Sequence, residues 1–273
     1  MAGMDFGRLR AGLDEDYRLM TAALEATDPV ERVPGCPDWD VAQLGFHVAE
    51  VYGYVTESIR TGHVPLDELP QAAETDPVRA VELAYAALTE QFDTRDPADF
   101  APTWYGPDQS VGFWIRRMAH ETSIHRLDAE LAAGLLVNPV PDDLAADGID
   151  EFLTIFVGYR GTAWRGREAI ARLLEAPDGR PVVVRESGGR AWQLTATPAG
   201  ITAADLAEED VSGSGAAGAV VTAALAPALT ISGPAPEVLA WLWNRSAESE
   251  DVQVSGDPLA LAQFGAFRAV VTR

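Results

Sequence analysis

The sequence predicts an up-down bundle of α-helices followed by a small α+β domain. Three observations carry that expectation. Up to about residue 160, apolar side chains recur every three or four positions in long segments separated by Pro-rich loops. Near Ala176 the texture changes to short β-branched runs, turn-rich links and two shorter helical patterns. The hydrophobic content of 47% is ample for a core, and with only Cys36 as cysteine no disulfide framework is available to replace one. The domains are expected at 1–175 (all-α) and 176–273 (α+β).

Residues 5–26 make the first helix, with Phe6, Leu9, Leu13, Tyr17, Met20 and Leu24 on one stripe and Asp28-Pro29 as its stop. The stretch ERVPGCPDW is a loop, punctuated by Pro34, Gly35 and Pro37. Asp40 with Gln43 three residues on has the pattern of a capping box, so a second helix starts there and runs to Thr61-Gly62. Leu44, His47, Val48, Val51 and Val55 form its apolar stripe, and His47 sits within it. Pro77 opens a third helix at a position that tolerates Pro, with Val81, Ala84, Leu88 and Phe92 facing inward. A loop with Pro97, Pro102 and Pro107 carries Trp104 and Tyr105, suited to the mouth of a pocket. The fourth helix runs from near Asp108 to Gly134 and the fifth over 142–159, with a short helix expected at 165–175.

In the second domain, PVVVRES and AWQLTATP joined across Gly188-Gly189 read as a hairpin. Residues 219–223 and 228–232 are further strand candidates on either side of small-residue loops. PAPEVLAWLWNR reads as a helix, DVQVSG as a short strand and DPLALAQFGAFRAV as a closing helix; Trp241 and Trp243 read as packing residues.

Charge narrows the function classes. There are 42 acidic and 20 basic residues, a formal net charge of −22. Such a field repels phosphate backbones and anionic membranes, so neither is an expected partner. The N-terminus has no apolar signal core and no 18-residue apolar run occurs, so a soluble cytoplasmic protein is expected. A monomer or dimer is the expected assembly.

The chemistry concentrates in WIRRMAHETSIHRLDAEL, residues 114–131. At about 100° per residue, Trp114, Met118, Glu121 and His125 fall within roughly 60° of one another. A carboxylate and an imidazole one turn apart thus share a face with core residues. A buried carboxylate is costly unless neutralised. An ion pair with Arg117, roughly 40° away on the wheel, is one solution. A divalent metal is the other, and His47 on the second helix offers a third ligand. Two His and one Glu is a common catalytic zinc set, three ligands that leave a position open. Cys36 could close the site as a fourth ligand, but a small buried hydrophobe is the favoured reading. His120 points about 140° away from His125, and His63 lies in a polar loop.

The same residues carry a family likeness. VPGCPDWDVAQLGFHVAEV together with WIRRMAHETSIHRLDAELAAG closely resembles the mycothiol-dependent maleylpyruvate isomerase family, whose N-terminal domain is a DinB-like metal-binding four-helix bundle of actinobacteria. SGPAPEVLAWLWNRSAE and VQVSGDPLAL resemble that family's sterol-carrier-like second domain. The resemblance implies zinc on His47, Glu121 and His125, mycothiol as thiol cofactor and an important Arg matching Arg245. Many relatives have Gly where this chain has Asn244, the non-Gly residue best suited to left-handed backbone. The implied activity is thiol addition to an electrophilic small molecule, such as the isomerisation of maleylpyruvate. Because that substrate is a dianion and the chain is acidic, Arg245 is the expected partner of a substrate carboxylate, and Trp104 and Tyr105 at the expected pocket mouth are candidates to contact the thiol. A metal-binding ligand-binding or regulatory module is the alternative.

Overall fold

The computed structural model describes residues 3–65, 74–164, 166, 180–206, 226–245 and 250–271. The chain divides into two compact units, Met1–Pro139 and Val140–Arg273.

The first unit is a four-helix bundle: α1 (Phe6–Ala26), α2 (Val41–Thr61), α3 (Pro77–Asp93) and α4 (Val111–Ala132). α1 packs chiefly on α4 and α2 chiefly on α3, while α2 also meets α4. Local signals set the helix ends. Asp40 and Gln43 form the expected capping box, each side chain paired with the other's backbone N–H at 2.8 and 3.0 Å. Gly62 ends α2 at φ +69°, a conformation that costs glycine little. Pro77 opens α3 behind an Asp76 cap. α4 begins at Val111 rather than near Asp108, because the Ser110 hydroxyl accepts from Phe113 N and Asp108 in turn accepts from that hydroxyl.

Leu9, Leu13, Met20, Leu44, Val48, Tyr52, Leu88 and Met118 fill the interior. α4 departs from an amphipathic pattern. It is buried on nearly every side from Val111 to Glu130, and Arg117, Arg126, Asp128 and Glu130 are buried with it. Arg126, 1% exposed, shows how this is tolerated: it donates to Asp16 Oδ1 at 2.9 Å and Glu130 Oε2 at 2.7 Å, tying α1 to α4.

The second unit starts with α5 (Asp142–Glu151), which continues as a π-helical stretch (Phe152–Arg160) and a last α turn (Gly161–Ala163). The compact units divide after Pro139, whereas the domain boundary expected from the sequence is at 175. The helix at 142–159 belongs with the second unit: Phe152 and Phe156 each sit 5.1 Å from the Trp243 ring. A periodic stripe shows that a helix has a buried face but not which element covers it.

The sheet has the order β3-β2-β1-β4-β5, formed by β1 (Val182–Glu186), β2 (Ala191–Thr197), β3 (Gly200–Asp205), β4 (Leu229–Gly233) and β5 (Gln253–Gly256). The expected hairpin pairs β1 with β2, with Val183 opposite Gln193. β1 and β4 run parallel, and the other neighbours are antiparallel. β3 is a strand that the sequence patterning does not single out; its Ala-rich run has little β-propensity and gains its place by pairing with β2. Helices α6 (Ala235–Leu242) and α7 (Pro258–Val271) complete the unit. Asn244 has φ +60°, its N–H reaches Trp241 O and the N–H of Arg245 reaches Ala240 O, the paired bonds of a Schellman ending. Apart from Gly166, the helix expected at 165–175 and the strand expected at 219–223 lie outside the described residues. Among the described residues, no helix is long and apolar enough to cross a membrane.

Candidate metal centre

Two helices and one loop build the centre. His47 projects from the second turn of α2, whose start is set by the Asp40 box. Glu121 and His125 lie one turn apart on α4. The loop before α2 is folded by Val33, Cys36 and Trp39, whose backbones bond to one another. It sets the Trp39 ring 4.6 Å from the ring of His47 and 6.1 Å from that of His125.

His47, Glu121 and His125 offer ligand atoms that all lie within 4.8 Å of one another. Glu121 Oε1 is 3.5 Å from His47 Nε2 and 3.4 Å from His125 Nε2. Atoms bound to one ion at about 2.1 Å in tetrahedral array are separated by about 3.4 Å. The carboxylate–imidazole edges therefore already have the length that a zinc-sized ion requires. Exposure is graded across the three side chains, 33% for His47, 16% for Glu121 and 8% for His125, so the site opens on the His47 side.

Electrostatics fit the same use. Glu121 Oε2 accepts from Arg117, one turn earlier on α4. Burial opposes ionisation of Glu121, but Arg117 and the two imidazoles outweigh it and hold the carboxyl well below its usual range. His125 Nδ1 lies 3.0 Å from Asp128 Oδ2, and Asp128 is fully buried. Burial works against a charged His125, yet Asp128 and Glu121 prevail and push its pKa up to about 9. Carboxylate behind one ring nitrogen and ligand position at the other is the usual setting of a metal-binding histidine.

The structure brings together the three residues that helical geometry nominates. The competing expectation, an Arg117–Glu121 ion pair, is present as well, and it uses the other carboxylate oxygen. His120 is buried outside the cluster and His63 is exposed with Nδ1 at Thr61 O. Cys36 is half-buried with Sγ 3.7 Å from Asp128 Oδ2, behind His125 rather than among the ligand atoms. Trp104 and Tyr105 pack against Phe113 at 5.4 and 5.6 Å. Phe113 precedes Glu121 by eight residues, about 12 Å along α4. Asp128 and Trp39 escape the residue-by-residue reading; the signal for Asp128 is its position one turn beyond His125.

Two domain profiles cover most of the chain. That of the mycothiol maleylpyruvate isomerase N-terminal domain matches residues 9–130, and that of the C-terminal domain of the same family matches residues 143–263. The chain belongs to the mycothiol-dependent maleylpyruvate isomerase family. The family profiles leave the gap between their matches around residue 139, where the two units divide. Two solved structures are similar over 93% of this chain and 96% of theirs, each with a TM-score of 0.60: a mycothiol-dependent maleylpyruvate isomerase at 14% identity and a histidine-to-alanine mutant of such an isomerase at 12%. At these identities the likeness establishes the fold. No curated protein matches the chain.

Proposed function

We propose that this protein is a zinc-dependent enzyme that turns mycothiol, a low-molecular-weight thiol, against an electrophilic small molecule. The reaction is the cis–trans isomerisation of maleylpyruvate to fumarylpyruvate or a related thiol transfer. The carrying observation is the convergence of Glu121 Oε1 with the Nε2 atoms of His47 and His125 in a member of this family. A divalent ion held there would supply the Lewis acidity that makes a thiol nucleophilic at neutral pH.

The chain's own residues divide the remaining work. Asp128 keeps the Nδ1 proton of His125 on the far side of the ring, leaving Nε2 to ligate. His47 borders the open side, by which thiol and substrate would enter. In the isomerisation, a bond forms between sulfur and one alkene carbon while the π electrons shift towards the neighbouring carbonyl. Rotation about the resulting single bond and expulsion of the thiolate restore the alkene in trans form, so the thiol is regenerated.

Maleylpyruvate is a dianion and the protein's formal charge is −22, so a local cation must receive a carboxylate. Arg245 is the proposed group, supported by a backbone held at the Schellman ending of α6. Trp104 and Tyr105 are proposed to contact the body of the thiol. No nucleic-acid or membrane partner is proposed.

Metal analysis tests the site: the purified protein is expected to carry about one zinc per chain and His47→Ala less than a tenth of that. Loss of maleylpyruvate absorbance on adding mycothiol tests the reaction. A zinc-loaded protein that turns over neither maleylpyruvate nor a panel of other electrophiles with mycothiol overturns the enzyme reading in favour of a metal-dependent binding module.

A further inference from the structure

The two oxygens of Glu121 have different partners. Oε1 faces the histidines, at 3.4 Å from His125 Nε2 and 3.5 Å from His47 Nε2. Oε2 is engaged by Arg117, whose side chain is only 4% exposed. Arg117 is one turn earlier on α4 and reaches the carboxylate oxygen that does not face the histidines.

A carboxylate has two ways to hold a divalent ion, through one oxygen or through both. The second way fills an additional coordination position. A guanidinium already bonded to Oε2 discourages it, because the ion would have to displace a buried, charge-assisted hydrogen bond. We propose that Arg117 is a positioning residue that confines Glu121 to one-oxygen ligation and so preserves the coordination position a thiol needs. This inference rests on the metal-site reading given above.

Charge acts in the same direction. Arg117 shares the negative charge of Glu121, so less of it reaches the ion. An ion with more uncompensated positive charge lowers the pKa of an arriving thiol further. The arrangement also explains how a buried ion pair and a metal site share one carboxylate, although either alone would satisfy its charge.

Cobalt(II) is the probe, because its visible d–d absorption is strong when four-coordinate and weak when the coordination number rises. Bound thiolate adds a sulfur-to-cobalt charge-transfer band in the near ultraviolet. The cobalt-loaded protein and its Arg117→Met variant are titrated with 2-mercaptoethanol across a pH series. The variant is expected to lose half or more of the d–d intensity and to bind thiol about tenfold more weakly at neutral pH, equivalent to about one unit in the thiol pKa. Equal intensity and equal thiol affinity in the two proteins overturn the role of Arg117. If Arg117→Met does not fold, Arg117→Gln is used, which keeps an N–H donor for Oε2 but not the charge. Its pH midpoint for thiol binding is then expected to rise, and an unchanged midpoint overturns the proposal. Failure of the unmutated protein to take up cobalt or zinc defeats the metal-site reading itself, and the inference with it, and is distinguishable from either result.

Discussion

Replacing Asp128 with Asn asks how much of the metal affinity is stored behind the ligands. Asp128 is fully buried, its Oδ2 is 3.0 Å from His125 Nδ1, and no direct contact with the ion is required of it. As a carboxylate it can only accept, so the proton stays on Nδ1 and Nε2 is free to ligate. Asparagine can present its NH2 to Nδ1 instead, which moves the proton to Nε2 and blocks the ligand atom. Loss of such a partner weakens metal affinity by about 10–100-fold, or about 1.4–2.7 kcal/mol. The opposing effect, the proton that His125 must release to an incoming ion, is smaller near pH 9: a pKa of about 9 leaves His125 half protonated there, so proton competition weakens binding only about twofold. Competition with a chromophoric chelator at pH 9 therefore isolates the ligand effect. A dissociation constant for zinc within threefold of the unmutated value, in a variant with unchanged circular dichroism, would refute the reasoning.

Four further outcomes are expected. In the metal-free protein, the raised pKa of His125 contributes stability that is fully present below about pH 6.5 and is lost as pH rises through about 9. Urea midpoints should fall over that interval, whereas zinc-loaded protein, which needs neutral His125, should show a smaller fall or none. His47→Ala, at a partly exposed position, should leave the metal-free melting temperature within a few degrees while abolishing zinc retention. A Cβ built on Gly45 lies 2.8 Å from Pro77 Cβ, so Gly45→Ala should force α2 from α3 and cost about 1–3 kcal/mol in urea unfolding. Asn244→Ala places alanine at φ +60° and should destabilise the second unit by about 1 kcal/mol, whereas Asn244→Gly should melt at or above the unmutated temperature.

What could be read before the fold was known is local chemistry. Asp40 and Gln43 announce a helix start because their side chains reach no farther than the first turn. Pro77, Gly62, Asn244 and the Gly188-Gly189 turn mark ends and reversals through their own backbone preferences. Glu121 and His125 share a face because helical rotation alone puts them there, and His47 joins them as an ionisable group on an apolar stripe. The family likeness of the quoted segments, borne out by both domain profiles, rests on these same short stretches.

Tertiary structure decided whatever depends on which surfaces meet. It assigned α5 to the second unit, because Phe152 and Phe156 found Trp243 and a periodic stripe names no partner. It made β3 a strand by pairing Ala-rich sequence with β2. It buried α4 on nearly every side, so that Arg117 and Asp128, which helical spacing already sets beside Glu121 and His125, meet them away from water: a residue is an ion-pair partner or a metal-orienting group according to which oxygen or nitrogen it meets. Sequence spacing sets Arg117, Glu121 and His125 one turn apart along one helix, whereas the share of Glu121 that His47 takes arises only when α2 packs against α4 to within a few ångströms.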